Sequence, residues 1–336
     1  MHAVTRIAGY LLLSCLVMAL AAGAALYWYA QSAPAATQLP VMLEVKPGSS
    51  LKAVAAQMTA AGLLRQPELF VLLARLRGES GKLKAGNYEF SGALSPLELL
   101  QRITRGDVTQ VSITFVEGWT FRQIRAALRE HPQVHAETAT LSESDLVERL
   151  GIPQSSAEGW FFPDTYHFGI GTSDLAILRR AHRLMKRHLE REWAQRAPDL
   201  PLKSPTEALI LASIIEKETG KASERGKIAS VFINRLRIGM RLQTDPAVIY
   251  GMGDAFDGNI RKSDLVTDTP YNTYTRAGLP PTPIAMPGLE SLRAALNPEA
   301  GDSLYFVARG DGTSKFSSTL AEHERAVDRY QRRKRP

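Results

Sequence analysis

Residues Ile7–Tyr29, IAGYLLLSCLVMALAAGAALYWY, carry no charged side chain. Coiled as a helix, the stretch would rise about 35 Å, enough to cross the hydrocarbon core of a bilayer. Arg6 stands just before it, and Tyr27, Trp28 and Tyr29 form an aromatic edge at its far end, where interfacial rings belong. Positive charge at the start places residues 1–6 in the cytoplasm and the rest of the chain across the membrane. Two other readings compete. The small residues Ala21–Ala25 resemble the end of a cleaved signal peptide. The tetrapeptide LLSC ending at Cys15 resembles a lipoprotein cleavage site, but most of the apolar run follows the cysteine. Length and aromatic belt favour a retained transmembrane helix over 7–29, and so a single-pass inner-membrane protein with its C-terminal part in the periplasm.

The 336 residues exceed what one small core needs, so two units are expected beyond the membrane. Net charge is +7, which can serve an anionic polymer or membrane. The densest runs, Arg179–Arg191 (RRAHRLMKRHLER) and Arg332–Arg335 (RRKR), read as solvated faces, and no nucleic-acid motif accompanies them. Cys15 is the only cysteine, which rules out an intrachain disulfide.

Residues 30–40 (AQSAPAATQLP) read as a linker. From 41 to 110 the pattern is a strand, a Pro47-Gly48 turn, and a helix carrying Leu51, Val54, Ala55 and Met58 that Ser49 or Ser50 can cap. A second helix over Pro67–Leu76, a short strand in KAGNYEF and a helix opened by Ser95-Pro96-x-Glu98 follow. Val111–Val116 reads as a strand that begins a larger unit, 111–330, before a basic tail, 331–336. Within it, Glu158–Tyr166 (EGWFFPDTY) is either a buried aromatic corner or a stacking platform for sugar rings.

The stretch Ser204–Thr219, SPTEALILASIIEKET, has strong helix grammar: Ser204 at the N-cap, Pro205 at the first turn, Glu207 to complete a capping box, and Gly220 to end it. At 100° per residue Glu218 falls about 20° from Leu211, between Ile214 and Ile215, whereas Glu216 falls about 140° away among smaller residues. A carboxyl on an apolar stripe is partly desolvated, stays protonated nearer neutral pH, and so suits a general acid. The plainer alternative is that Glu218 turns outward to pair with Lys221 or Arg225. A second amphipathic helix follows over Ser223–Ile238, with Ile228, Val231, Phe232 and Leu236 inward and Asn234 and Arg235 beside that face. Loops rich in Pro, Tyr and Asn come next, fit to build a rigid groove for a polyhydroxylated ligand.

Two resemblances attach to these residues. Val45–Ala55 (VKPGSSLKAVA) looks like the opening of a LysM module, a family that binds N-acetylglucosamine-containing polymers; a generic strand–turn–helix fits the same residues. Ile215–Thr219 (IEKET), Ala229–Leu236 (ASVFINRL), Leu242–Pro246 (LQTDP), Tyr271–Tyr274 (YNTY) and Gly278–Pro281 (GLPP), in that order, resemble the YceG-like family of murein transglycosylases. The resemblance implies an α+β fold: an N-terminal transmembrane helix, a small LysM-like α/β subdomain at 41–110, and a larger mixed α/β catalytic domain at 111–330. It implies Glu218 as the catalytic residue, and Gln243, Thr244, Asp245, Asn272 and Tyr274 as substrate-binding residues. It implies a lytic transglycosylase that cleaves the β-1,4 bond between N-acetylmuramic acid and N-acetylglucosamine inside glycan strands and leaves 1,6-anhydro ends, without metal or cofactor. The expected partners are peptidoglycan strands, the inner membrane and the peptidoglycan synthesis machinery, with no nucleic acid.

Two rivals remain open on the sequence. Asp245 facing Glu218 would make a two-carboxylate hydrolase; a turn-forming Asp before Pro246 is the simpler use. A membrane-tethered glycan-binding scaffold without turnover would not need a carboxyl on an apolar stripe. His131 and His135 are four apart, but Pro132 breaks any helix between them, which argues against a zinc site.

Overall fold

The computed structural model describes residues 2–33 and 40–332. Backbone contacts divide the chain into two units, one of residues 1–111 and 167–172, the other of residues 112–166 and 173–336. The return of 167–172 to the first unit has no sequence signal.

The first unit begins with α1 (His2–Gln31), which is long and apolar enough over Gly9–Gln31 to cross a membrane. The helix thus takes in the first residues of the expected linker, 30–40, of which 34–39 lie outside the described residues. Large apolar side chains such as Leu12, Leu16 and Leu20 stand exposed along it, as a lipid-facing helix requires. Its last turn differs: Ala30 is buried, and the Tyr29 hydroxyl donates to the Gln66 carbonyl at 2.8 Å.

Beyond it come β1 (Val41–Val45), α2 (Leu51–Ala60), α3 (Pro67–Leu76), β2 (Gly86–Phe90) and α4 (Pro96–Arg105). β1 and β2 pair antiparallel, Val41 opposite Phe90 and Val45 opposite Gly86. Ser50 caps α2 by accepting from the Ala53 amide, and the four apolar residues expected to face inward are all buried. Ser95 and Glu98 form a reciprocal capping box at α4, with Pro96 in its first turn and Gly106 ending it in the left-handed region. Met58, Phe70, Tyr88, Phe90, Leu99 and Ile103 fill the core between sheet and helices.

The next elements are β3 (Gln110–Thr114), α5 (Phe121–Glu130), α6 (Glu143–Leu150), β4 (Thr165–Gly169), α7 (Asp174–Ala194), α8 (Pro205–Glu218), α9 (Arg225–Arg237), α10 (Asp245–Met252), α11 (Lys262–Val266) and α12 (Leu289–Leu296). The hairpin β5 (Tyr305–Ala308) and β6 (Ser314–Ser317), then α13 (Leu320–Val327), complete the order. In the second unit α8 is the central rod: every residue from Ala208 to Ile215 is buried, and α7, α9, α10 and α12 pack on it. Ser204 caps it as expected, but Glu207 does not close the box; its carboxylate takes the Lys203 amide at 2.7 Å. The helix ends at Glu218, one residue before the expected stop, with Thr219 as the cap. A π-helical turn over Asp328–Arg332 precedes the rest of the basic tail, 333–336, which lies outside the described residues.

The aromatic run is a buried corner and not a platform. Trp160 and Phe161 are sealed from solvent, with Phe161 stacked on Phe121 at 5.2 Å and Trp160 against His182 at 5.8 Å. Gly159 is required there: its φ is +83°, and a Cβ would come within 2.4 Å of the Pro283 ring.

Candidate active site

The last turn of α8 separates the two glutamates by function. Ser213, one turn earlier, faces the proline-rich loop and accepts the Ile284 amide at 3.0 Å. Glu216 turns toward α12. Its Oε2 accepts from the Gly288 amide at 3.0 Å and from the Ser291 hydroxyl at 2.7 Å, so it caps the N-terminus of that helix, where a negative charge is favoured. Lys217 faces outward and donates to the Gly118 carbonyl at 3.3 Å.

Glu218 points a third way, toward the segment that joins α9 to α10. The hydroxyl of Thr244, itself only 1% exposed, donates to Glu218 Oε1 at 2.6 Å. Burial raises the Glu218 carboxyl above the usual range; the Thr244 hydrogen bond pulls it back, the like charge of Asp245 adds to the rise, and the Arg235 guanidinium opposes it. Burial wins, so the group holds its proton to higher pH than a free glutamate. It keeps partial access to solvent, as a proton donor to a bound ligand needs. Neither Lys221 nor Arg225 forms an ion pair with it.

Arg235 was less visible in sequence. Helical spacing picks Leu236 as inward, yet Arg235 is the buried neighbour, 7% exposed, and Leu236 is only half-buried. Its guanidinium donates from Nε to the Leu304 carbonyl at 2.7 Å and from Nη1 to the Leu242 carbonyl at 2.6 Å, and it lies over the Tyr305 ring. It therefore ties α9 to the segment that delivers Thr244, and it brings a positive charge into the surroundings of Glu218. The signal was present, since Arg235 lies in the Asn234-Arg235 pair beside the apolar face, but spacing alone cannot distinguish a buried arginine from one that turns outward.

Residues 243–245 and 272–274 run alongside each other. The Gln243 amide donates to the Thr273 carbonyl at 3.1 Å, and the Thr244 amide donates to Thr273 Oγ1 at 3.0 Å. Gln243 has φ +50°, a left-handed conformation that costs about 1–2 kcal/mol in a residue with a Cβ. That strain turns the chain so that Thr244 faces Glu218 while the Gln243 side chain stays exposed. Asp245, also exposed, accepts the Tyr274 hydroxyl at 2.6 Å. Asn272 differs from the others. It is buried, its Nδ2 faces the carbonyls of Asp264, Leu265 and Thr267, and its Oδ1 takes the Tyr274 amide. Its polar atoms are consumed in shaping the loop that carries Tyr274.

The arrangement thus presents a proton-holding carboxyl with one hydroxyl donor, a buried cation nearby, and an exposed polar edge of Gln243 and Asp245 beside the half-buried Tyr274. Such a site can give a proton to a leaving oxygen and take one back.

The sequence is similar to known proteins over most of its length. An endolytic murein transglycosylase of Bacillus subtilis (strain 168) is 32% identical over 308 residues, covering 86% of this chain and 84% of that protein. An endolytic murein transglycosylase of Streptococcus pneumoniae serotype 2 is 27% identical over 321 residues, 85% of this chain but 58% of that longer protein. The crystal structure of a YceG-like protein from Listeria monocytogenes, 30% identical, matches the fold with a TM-score of 0.55 over 85% of this chain and 98% of that one. Residues 43–329 match the model of the YceG-like family, which takes in most of both units but not α1, and the chain belongs to that family.

Proposed function

We propose that the protein is an endolytic peptidoglycan transglycosylase in which Glu218 carries both proton transfers. The observation that carries this reading is the Glu218 carboxyl itself, raised by burial and held by Thr244 at 2.6 Å. Relatives named endolytic murein transglycosylase support the substrate class. In the proposed reaction protonated Glu218 gives its proton to the glycosidic oxygen as the bond to the muramyl anomeric carbon breaks. The muramyl C6 hydroxyl then attacks that carbon from within the same sugar, and ionised Glu218 takes the hydroxyl proton. One carboxyl serves both steps, and the internal nucleophile gains from proximity. Arg235 would favour the ionised carboxylate between the two transfers, and the Thr244 hydroxyl would keep one oxygen oriented.

Gln243 and Tyr274 are the side chains best placed to meet the sugar. Asp245 orients Tyr274, and Asn272 holds the loop in shape. Asp245 as a second catalytic carboxylate is the weaker reading, because its Oδ1 is occupied by Tyr274. We infer further that α1 anchors the chain in the inner membrane, with the residues that follow it in the periplasm, near the machinery that makes new strands. Glycan binding by residues 41–110, whose opening resembles a LysM module, belongs to the same proposal.

The test is mass analysis of glycan fragments released from purified strands by the detergent-solubilised full chain and by Glu218→Gln. Anhydro-muramyl ends from the parent, and none from the variant, are expected. Reducing ends from the parent would mean hydrolysis. Full activity in Glu218→Gln would remove the acid/base assignment.

A further inference from the structure

Glu158 opens the aromatic corner and takes no part in the chemistry above. It is 4% exposed. Both of its oxygens accept from the Phe121 amide, at 3.0 and 3.1 Å, at the first residue of α5. Oε2 also accepts the Tyr250 hydroxyl of α10 at 3.2 Å. The groups that act on its charge are these two donors, the Gly159 amide, and Glu143 at the start of α6; none of them is a cation. A buried carboxyl without a counter-ion is a poor stabiliser, and an apolar residue would commonly serve a corner better.

What the carboxyl does hold is the far end of α10. The near end of that helix carries Asp245 as its first residue and Thr244 as its cap. Tyr250 meets the Tyr271 ring edge-on at 4.9 Å. The next residue, Gly251, lets the helix lie against the Thr269–Tyr271 loop, since a Cβ there would come within 2.9 Å of the Tyr271 Cβ. At the near end the same loop gives Thr273 Oγ1 to the Thr244 amide. The helix is thus clamped to one loop at both ends, and Glu158 fixes the clamp from outside.

We propose that Glu158 is a positioning residue for the reaction: through Tyr250 it fixes the seat of α10 and so the approach of the Thr244 hydroxyl to Glu218. The proposal rests on the assignment of Glu218 as the acid/base group. It also makes the seat sensitive to pH. Burial pushes the Glu158 carboxyl up to about 7, so it titrates in the neutral range. Ionised, it accepts from both Phe121 and Tyr250. Protonated, it must donate, and the Tyr250 oxygen is the partner already in reach, so the Tyr250 proton is turned away and the bond reverses.

The experiment measures kcat and KM for glycan-strand cleavage across the neutral range with the full chain in detergent, for parent, Tyr250→Phe, Glu158→Gln and Glu218→Gln. Tyr250→Phe keeps the ring on Tyr271 and removes only the hydroxyl. It is expected to lower kcat about tenfold with KM nearly unchanged. Glu158→Gln keeps one acceptor oxygen, which in the place of Oε2 lies within reach of both donors, but it cannot titrate, so the inflection near neutral pH should vanish from its profile. Parental kcat and pH profile in Tyr250→Phe would overturn the proposal, as would an effect on KM alone. Glu218→Gln separates the two levels. An inactive Glu218→Gln beside a parental Tyr250→Phe removes positioning only, whereas an active Glu218→Gln removes the acid/base assignment and this proposal with it.

Discussion

Replacing Thr244 by Val should shift the pH range in which the enzyme works, and the direction is fixed by the geometry. The hydroxyl donates to Glu218 Oε1 at 2.6 Å, which favours the ionised carboxylate. Its loss leaves burial and the Asp245 charge, both of which favour the protonated form, opposed only by Arg235. A hydrogen bond to a charged group is worth about 1.5–3 kcal/mol, and partial access of water to Glu218 argues for the lower end. About 1.5 kcal/mol corresponds to about one pKa unit upward. On the proposal that Glu218 is the general acid, it must be protonated to act, so activity should fall as pH rises through its pKa. The alkaline limb of kcat/KM should therefore move about one unit higher in Thr244→Val and stay in place in Thr244→Ser. The assay is the initial rate of anhydro-muropeptide release across a buffer series at constant ionic strength. An alkaline limb that stays put or moves down would refute both the role of Thr244 and the identity of the acid. Asp245→Asn supplies the opposite sign: with the like charge removed, Glu218 ionises sooner and the limb should move to lower pH. Abolished activity there, without a shift, would instead make Asp245 a second catalytic carboxylate.

Three further perturbations probe the surroundings. Gln243→Gly relieves the left-handed strain, so the variant should be as stable as the parent or more so by about 1 kcal/mol, yet cleave strands more slowly; thermal unfolding and initial rates measured together test this. Glu216→Ala removes the cap of α12 and should cost about 1–2 kcal/mol in denaturant unfolding while leaving the position of the alkaline limb unchanged. Glu158 is raised from an ordinary 4.5 to about 7, so between those values the folded chain holds a proton that the unfolded chain has released. Its contribution is fully present below about pH 4.5 and is lost as pH rises to about 7, a fall of about 3 kcal/mol that Glu158→Gln should flatten in unfolding scans across that window.

Local grammar made much of this molecule legible. Ser50, Ser95 and Ser204 cap the helices they precede, Pro96 and Pro205 stand in first turns, and the apolar faces of α2 and α8 face inward as their spacing requires. Helical periodicity also separated Glu218 from Glu216, because a two-residue offset sends the side chains to different faces. Long-range matters stayed hidden. Nothing in the local pattern says that Glu216 will cap a helix 72 positions away, or that Thr244 rather than Asp245 will touch Glu218. Asn272 looks like a sugar ligand by residue type, but its burial is set by where the 264–267 carbonyls fall. Arg235 and Glu158 were obscured for a similar reason: charged residues are normally outside, and only tertiary contacts tell which ones are not.

Ser213, Glu216 and Glu218 leave α8 in three directions, and each is tied to a different segment: the proline-rich loop, α12 and the Thr244 turn. A helix tethered this way cannot roll about its axis without giving up a hydrogen bond in at least one direction, each worth about 1–3 kcal/mol where water cannot replace it. Hinge bending or induced fit centred on α8 is accordingly expensive. With Glu218 as the proposed acid, adaptation in the encounter between enzyme and strand would fall to the glycan, whose glycosidic torsions and ring pucker would have to bring the scissile oxygen to a carboxyl that stays where it is.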